Sequence, residues 1–144
     1  MAVDLTRDSD QILQKASSIV TENEAKITVV NIVPLLAHHY AYVNYSIYFQ
    51  NWDDYLIEES EKNLTNQLSN LNITPHRIIV KKGHVANSIR SLSTKLDIDL
   101  IIIGTHGRSG VNKFILGSTA HSLLGGIEID VLIFYLNENQ VCNK

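Results

Sequence analysis

Apolar positions along this chain keep two rhythms that alternate. The first is the short unbroken run. Ala2-Val-Asp-Leu5 reads as a short strand, and Ile27–Val33, β-branched and nearly all apolar, reads as a buried strand that Pro34 ends. Arg77–Val80, Ile98–Ile103 and Val131–Tyr135 are further runs of the same kind. The second rhythm has helical spacing. Ile12, Leu13, Ala16, Ile19 and Val20 share one face of a helix predicted over Asp8–Glu22, which Asp8 and Gln11 open with a capping pattern. Leu64, Leu68 and Leu71 mark a helix from about Asp53 to Leu71, broken by Asn72 and Pro75. Val85, Ile89, Leu92 and Leu96 repeat in the same way after Gly83, and Ser118–Ile127 reads as a last helix.

The order is β-α-β-α-β-α-β-loop-α-β. Strands that alternate with helices predict an α/β fold with a parallel sheet, helices on both faces and right-handed crossovers. Five continuous apolar strands suit a sheet covered on both sides. No internal repeat or low-complexity tract interrupts the pattern.

Length and composition sharpen this picture. A chain of 144 residues with 44% hydrophobic content predicts one domain with a real core. A net charge of −3 argues against broad electrostatic binding to nucleic acid. No stretch is long and apolar enough for a membrane span, and the N-terminus lacks the marks of a signal peptide. The single cysteine, Cys142, excludes an intrachain disulfide. A cytoplasmic protein is expected.

Candidate chemistry gathers in one place. Six of the seven glycines fall between Gly104 and Gly126. The apolar run Leu100–Ile103 empties into Gly104-x2-Gly107-x9-Gly117-Ser118, which then opens a helix. Glycine lets backbone amides approach an anion, and a strand–loop–helix corner is where α/β proteins hold phosphates. The spacing is not a P-loop, because no Gly-Lys-Ser/Thr closes it. Nor is it the dinucleotide Gly-x-Gly-x-x-Gly, which follows a first strand rather than a fourth. Gly104 and Gly107 would leave room for a sugar and an α-phosphate. Gly117, Ser118 and Thr119 would offer helix-terminal amides and a hydroxyl to further phosphates.

That motif, with Ala2-Val-Asp-Leu5 at the start and Asp130-Val-Leu-Ile-Phe134 at the end, resembles the universal stress protein family. The resemblance runs over residues 1–136 and leaves 137–144 as a polar tail. It implies a Rossmann-like sheet of order 3-2-1-4-5 and a homodimer through strand 131–135. The glycine motif marks the family's ATP-binding branch. It implies ATP, with Mg²⁺ or Mn²⁺ on the phosphates, at the carboxyl ends of strands one and four. Asp4 then sits where an acid reaches the adenosine, Ile32 and Val33 where strand backbone reads the adenine edge, and Gly83 at the pocket rim. Ile103 and Gly104 flank ribose and first phosphate, and Gly107, Gly117, Ser118 and Thr119 hold the phosphates. Thr119 stands where the family usually has valine, His121 and Asp130 where an acid and a proline are common, and the first strand is shorter than in relatives.

Several residues carry two readings. Asp4 either contacts ligand or caps the first strand–helix turn. Arg108 and Lys113 either neutralise phosphate or are solvated loop charges. His106 is a conceivable acid/base but more simply bonds loop backbone. His38-His39 lacks a third metal ligand. The Tyr-rich stretch 40–55 is either a lid over the pocket mouth or a surface for a protein partner. No paired base and metal-binding acid stands out, so no catalytic residue is assigned and ATP is read as a switch ligand. The alternatives are a slow ATPase or nucleotidyl-transfer enzyme on the same site, using His106, Lys113 and Ser118, or an interaction module with a vestigial nucleotide site.

Overall fold

The computed structural model describes residues 1–6, 9–22, 25–35, 52–105 and 117–135. Its elements are β1 (Ala2–Val3), α1 (Ser9–Glu22), β2 (Thr28–Pro34), α2 (Trp52–Asn70), β3 (Arg77–Gly83), α3 (Val85–Lys95), β4 (Leu100–Gly104), α4 (Ser118–Leu124) and β5 (Asp130–Phe134). Among the described residues the predicted order of strands and helices is the observed one. The last helix is shorter than predicted, because Gly125-Gly126 ends it before Ile127.

Among the described residues all strand pairs are parallel. β2 joins β1 to β3, with Val3 opposite Asn31 and Pro34 opposite Gly83. β4 pairs with β5, with Gly104 opposite Phe134. β1 lies beside β4, so β3-β2-β1 adjoins β4-β5. Among the described residues no hydrogen-bonded ladder crosses between β1 and β4. β1 contributes only two residues, too few to carry a ladder on each side.

Alternation along the strands builds two cores. Val29 and Ile102 face α1 and α2, where Ile12, Leu13, Ala16, Leu64 and Leu68 cover them. Val30, Ile32, Ile101 and Ile103 face α3 and α4, against Ile89, Ala120 and Leu123. Adjacent residues of one strand thus feed opposite layers, as a period of two requires, and so the strands read as unbroken apolar runs. Leu13, Leu64 and Leu123 are fully buried, and truncating any of them to alanine is expected to cost about 2–5 kcal/mol.

α2 and α3 stop by the same device. Asn72 and Asp97 adopt left-handed φ of 54° and 51°, and the amides of Ile73 and Ile98 reach back to the carbonyls of Leu68 and Ser93. Asn and Asp here take the place glycine usually fills at a helix end. The Met1 ammonium is buried against β2 and donates to the Thr28 carbonyl at 2.8 Å. Among the described residues no helix is long and apolar enough to cross a membrane.

Candidate functional site

The strand order reverses between β1 and β4, and the carboxyl ends of these two strands face the same rim. Open α/β sheets bind ligands at such a switch point. Asp4 follows β1 directly. One of its oxygens, Oδ1, accepts three hydrogen bonds: from the Thr6 amide at 3.2 Å, the Thr6 hydroxyl at 2.7 Å and the Ser9 hydroxyl at 3.0 Å. Ser9 is fully buried at the start of α1, and its amide donates to the Thr6 carbonyl. Leu5, between Asp4 and Thr6, has a φ of 60°, which a branched side chain rarely adopts. The carboxylate therefore latches the β1–α1 turn while remaining exposed at the rim. Of the two readings of Asp4, the turn cap is present in the structure. It does not compete with ligand contact, because these bonds use only one carboxylate oxygen.

β2 projects beyond β1. Pairing stops at Val3 and Asn31, so among the described residues no strand lies beside β2 on that side from Ile32 onward. The Val30 amide donates to the Met1 carbonyl, and the two-residue alternation puts the peptide groups of Ile32 on the same side. Those of Val33 point into the β2–β3 ladder, opposite Lys82. Ile32 is thus the β2 residue whose backbone faces the opening. Asn31 closes the floor beneath it: its side-chain amide, buried, donates to the Val3 carbonyl at 2.9 Å.

On the other side of the opening, Ile103 is buried and Gly104 is the last residue of β4. The Thr105 amide bonds the Phe134 carbonyl at 3.0 Å, extending the β4–β5 pairing by one residue. The Gly117 amide then donates to the Thr105 carbonyl at 3.1 Å. The segment that leaves β4 therefore returns to its own starting point before α4 begins. A β-carbon on Gly117 would lie 2.5 Å from the Thr105 carbonyl oxygen. Its dihedrals, φ −55° and ψ 151°, suit any residue, so space rather than conformation demands glycine here. Ser118 and Thr119 are exposed at the start of α4, and among the described residues no side chain caps that helix. Gly107 and Arg108 of the predicted site lie outside the described residues, as do His106, Lys113, His38, His39, residues 40–51 and Cys142.

Gly83 ends β3 at the same rim, packed against the Ser88 side chain. Thr6, Ser9, Asn31 and Thr105 complete the arrangement and were not singled out from the sequence. Asn31 did carry a signal, as the one polar residue within the run Val29–Val33. Thr105 and Ser9 carried none, because their roles depend on partners twelve and five residues away in sequence. Among the described residues no group of three His, Cys, Asp or Glu side chains comes together in a way that could hold a metal. A cavity of about 680 Å³ lies elsewhere, lined by Arg90, Asp97, Leu124 and Glu128 among others, and includes none of the predicted site residues.

Comparison with known proteins places the fold and the family. The sequence profile of the universal stress protein family matches residues 1–134. Universal stress protein A homolog 1 of Coxiella burnetii is 30% identical over 138 residues, covering 95% of this chain and 94% of that one. Among solved structures, the hypothetical protein MJ0577 superposes with a TM-score of 0.73 at 16% identity, over 96% of this chain and 94% of that one. A universal stress protein in complex with cAMP gives a TM-score of 0.55 at 18% identity, over 94% and 93%. At these identities the structural matches establish the fold, while the profile and the Coxiella relative establish the kinship: this chain belongs to the universal stress protein family.

Proposed function

We propose that this protein binds ATP, with Mg²⁺ or Mn²⁺ carried on the phosphates, at the carboxyl ends of β1 and β4, and that the nucleotide acts as a switch ligand in a cytoplasmic stress response. The observation that carries this reading is the closure of the glycine segment. With the Gly117 amide tied to the Thr105 carbonyl, exposed Ser118 and Thr119 stand at the same rim as Asp4 and Ile32. One rim then offers backbone beside β2 for a base edge, a carboxylate for the nucleoside, and, for phosphate, a helix start that no side chain among the described residues caps. The cAMP-bound neighbour supports a nucleotide as the class of ligand. Ile103, Gly104, Gly107 and Arg108 complete the phosphate side of the proposal, and Val33 and Gly83 its rim.

A ligand that binds only the folded state stabilises it by mass action, which is how a nucleotide without turnover changes behaviour. Among the described residues β5 pairs only with β4. Its far edge supports a homodimer through residues 131–135. Residues 40–55 are proposed as the surface for a protein partner.

Native mass spectrometry of the freshly purified protein, followed by calorimetric titration with Mg-ATP, tests the reading. Nucleotide carried on a dimer, or a micromolar titration, is the expected result. An empty protein with no heat on ATP addition would refute nucleotide binding.

A further inference from the structure

We infer that the cavity at the opposite end of the sheet from the nucleotide rim is a second binding site, for a small organic cation with an apolar body. Its volume of about 680 Å³ falls within the roughly 300–1,000 Å³ usual for small-molecule sites. Ile98 and Ile129, which line it, stand just before β4 and β5, so the cavity lies at the amino ends of these strands. It includes no residue of the nucleotide reading and does not depend on that reading.

The apolar part of the ligand follows from the lining. Ile98, Ile127 and Ile129 are half-buried there, and Leu124, the last residue of α4, is 44% exposed. Covering these side chains removes apolar surface from water. The charge follows from what surrounds them. α3 and α4 both end at the cavity, and the carboxyl end of a helix carries the negative end of its dipole. Asp97 and Glu128 add two carboxylates. Asp4, Asp10 and Asp53 each accept a side-chain hydrogen bond, but among the described residues the carboxylates of Asp97 and Glu128 accept none.

The side-chain donors of the lining are already engaged. The Ser93 and Thr94 hydroxyls donate to the Arg90 carbonyl at 2.8 and 3.2 Å. Arg90 Nη1 donates to Asn87 Oδ1 at 3.0 Å, and Nη2 donates to the Ser122 carbonyl. Arg90 Nε is buried beside Gly126, out of a ligand's reach. The guanidinium thus caps the end of α4 and is not an anion receptor. Its charge offsets one carboxylate, and the second carboxylate with the two helix ends leaves the cavity negative. A lining with open acceptors and engaged donors selects a ligand that donates, and an ammonium is a donor of the matching charge.

The test is titration of the full chain with phenethylammonium, phenethyl alcohol and phenylacetate, three probes of similar body and different charge, followed by amide chemical shifts. Shifts are expected in residues 90–98 and 124–129. The ammonium should bind roughly fivefold or more tightly than the alcohol, and the carboxylate most weakly. Asp97→Asn, which suits the left-handed φ of 51°, and Glu128→Gln should each weaken the ammonium by about twofold or more and leave the alcohol unchanged. Together they should abolish the preference, and high salt should shrink it. If the alcohol or the carboxylate binds as tightly as the ammonium, the inference is overturned. It is overturned as well if no probe moves these amides; shifts there on dilution of the protein would then assign the cavity to a second copy of the chain.

Discussion

β3 and β4 both end in glycine, and both run on toward a helix at the same rim of the sheet. At each corner a second feature is shared: a β-carbon added at Gly83, or at Gly117 on the far side of the β4 loop, would lie 2.5 Å from an oxygen. The two oxygens differ in kind. At Gly83 it is the Ser88 hydroxyl, the end of a side chain that has other rotamers. At Gly117 it is the Thr105 carbonyl, a main-chain atom that also accepts the Gly117 amide and thereby closes the loop. The same distance therefore means tolerance at one corner and necessity at the other. The proposed phosphate side closes on a main-chain contact. The rim at Gly83 is built on a contact that can rearrange.

The largest effect is expected from Gly117→Ala. The methyl group forces Thr105 and Gly117 apart and breaks the bond that closes the loop. The expectation is a loss of about 3 kcal/mol in stability and roughly a hundredfold or more in ATP affinity. Denaturant unfolding and calorimetry measure the two. No side-chain deletion elsewhere should restore the variant, because the obstruction is main chain.

Both corners have to be compared at a pH where a third contribution is constant. Burial lowers the Met1 ammonium from its ordinary pKa of 8.0 to about 6. Between those values the unfolded chain holds the proton while the folded chain sheds it. Stability is then fully present above pH 8 and falls as the pH drops toward 6, by about 2–3 kcal/mol. Unfolding midpoints across pH 6–8 check this, and the same chain with an acetylated N-terminus should lack the slope.

Arg90 links the two corners. It sits on α3, its guanidinium donates to the Ser122 carbonyl of α4 and to Asn87, and it lies against Gly126. Arg90→Ala should cost about 1 kcal/mol and loosen α4 against α3. Faster amide exchange in residues 118–124, with β3 unchanged, is the expected signature. Equal loosening at β3 would mean that the corners are not separable.

The smallest effect belongs to Gly83→Ala, at roughly 0.5–1 kcal/mol. Ser88→Ala in the same chain should recover most of it, and a double-mutant cycle reads the coupling directly. Without recovery, the Ser88 hydroxyl is not what limits Gly83, and the contrast between the two glycines fails.

Much of this was legible in the sequence, and the reason lies in period. The run Val29–Val33 and the spacing of Ile12, Leu13 and Ala16 announce a strand buried on both faces and a helix buried on one, because burial follows directly from backbone geometry. The glycine spacing located the corner after β4 for the same kind of local reason. The ends of elements were less legible. The strand predicted to stop before Pro34 includes it, and the helix predicted to run to Ile127 stops at Leu124.

By itself, then, the sequence determined the order of the described strands and helices and the two-sided core, since each depends on residues near one another in the chain. Only the tertiary structure decided how the candidate site is held. It showed that Gly117 is required by a carbonyl twelve residues earlier, that Ile32 rather than Val33 turns its backbone to the opening, and that Thr6 and Ser9 fasten Asp4 by one oxygen. Each of these is a matter of register or of close approach between separated segments. Hydrophobic periodicity sets which face of an element is buried, but it carries no record of which atoms then meet.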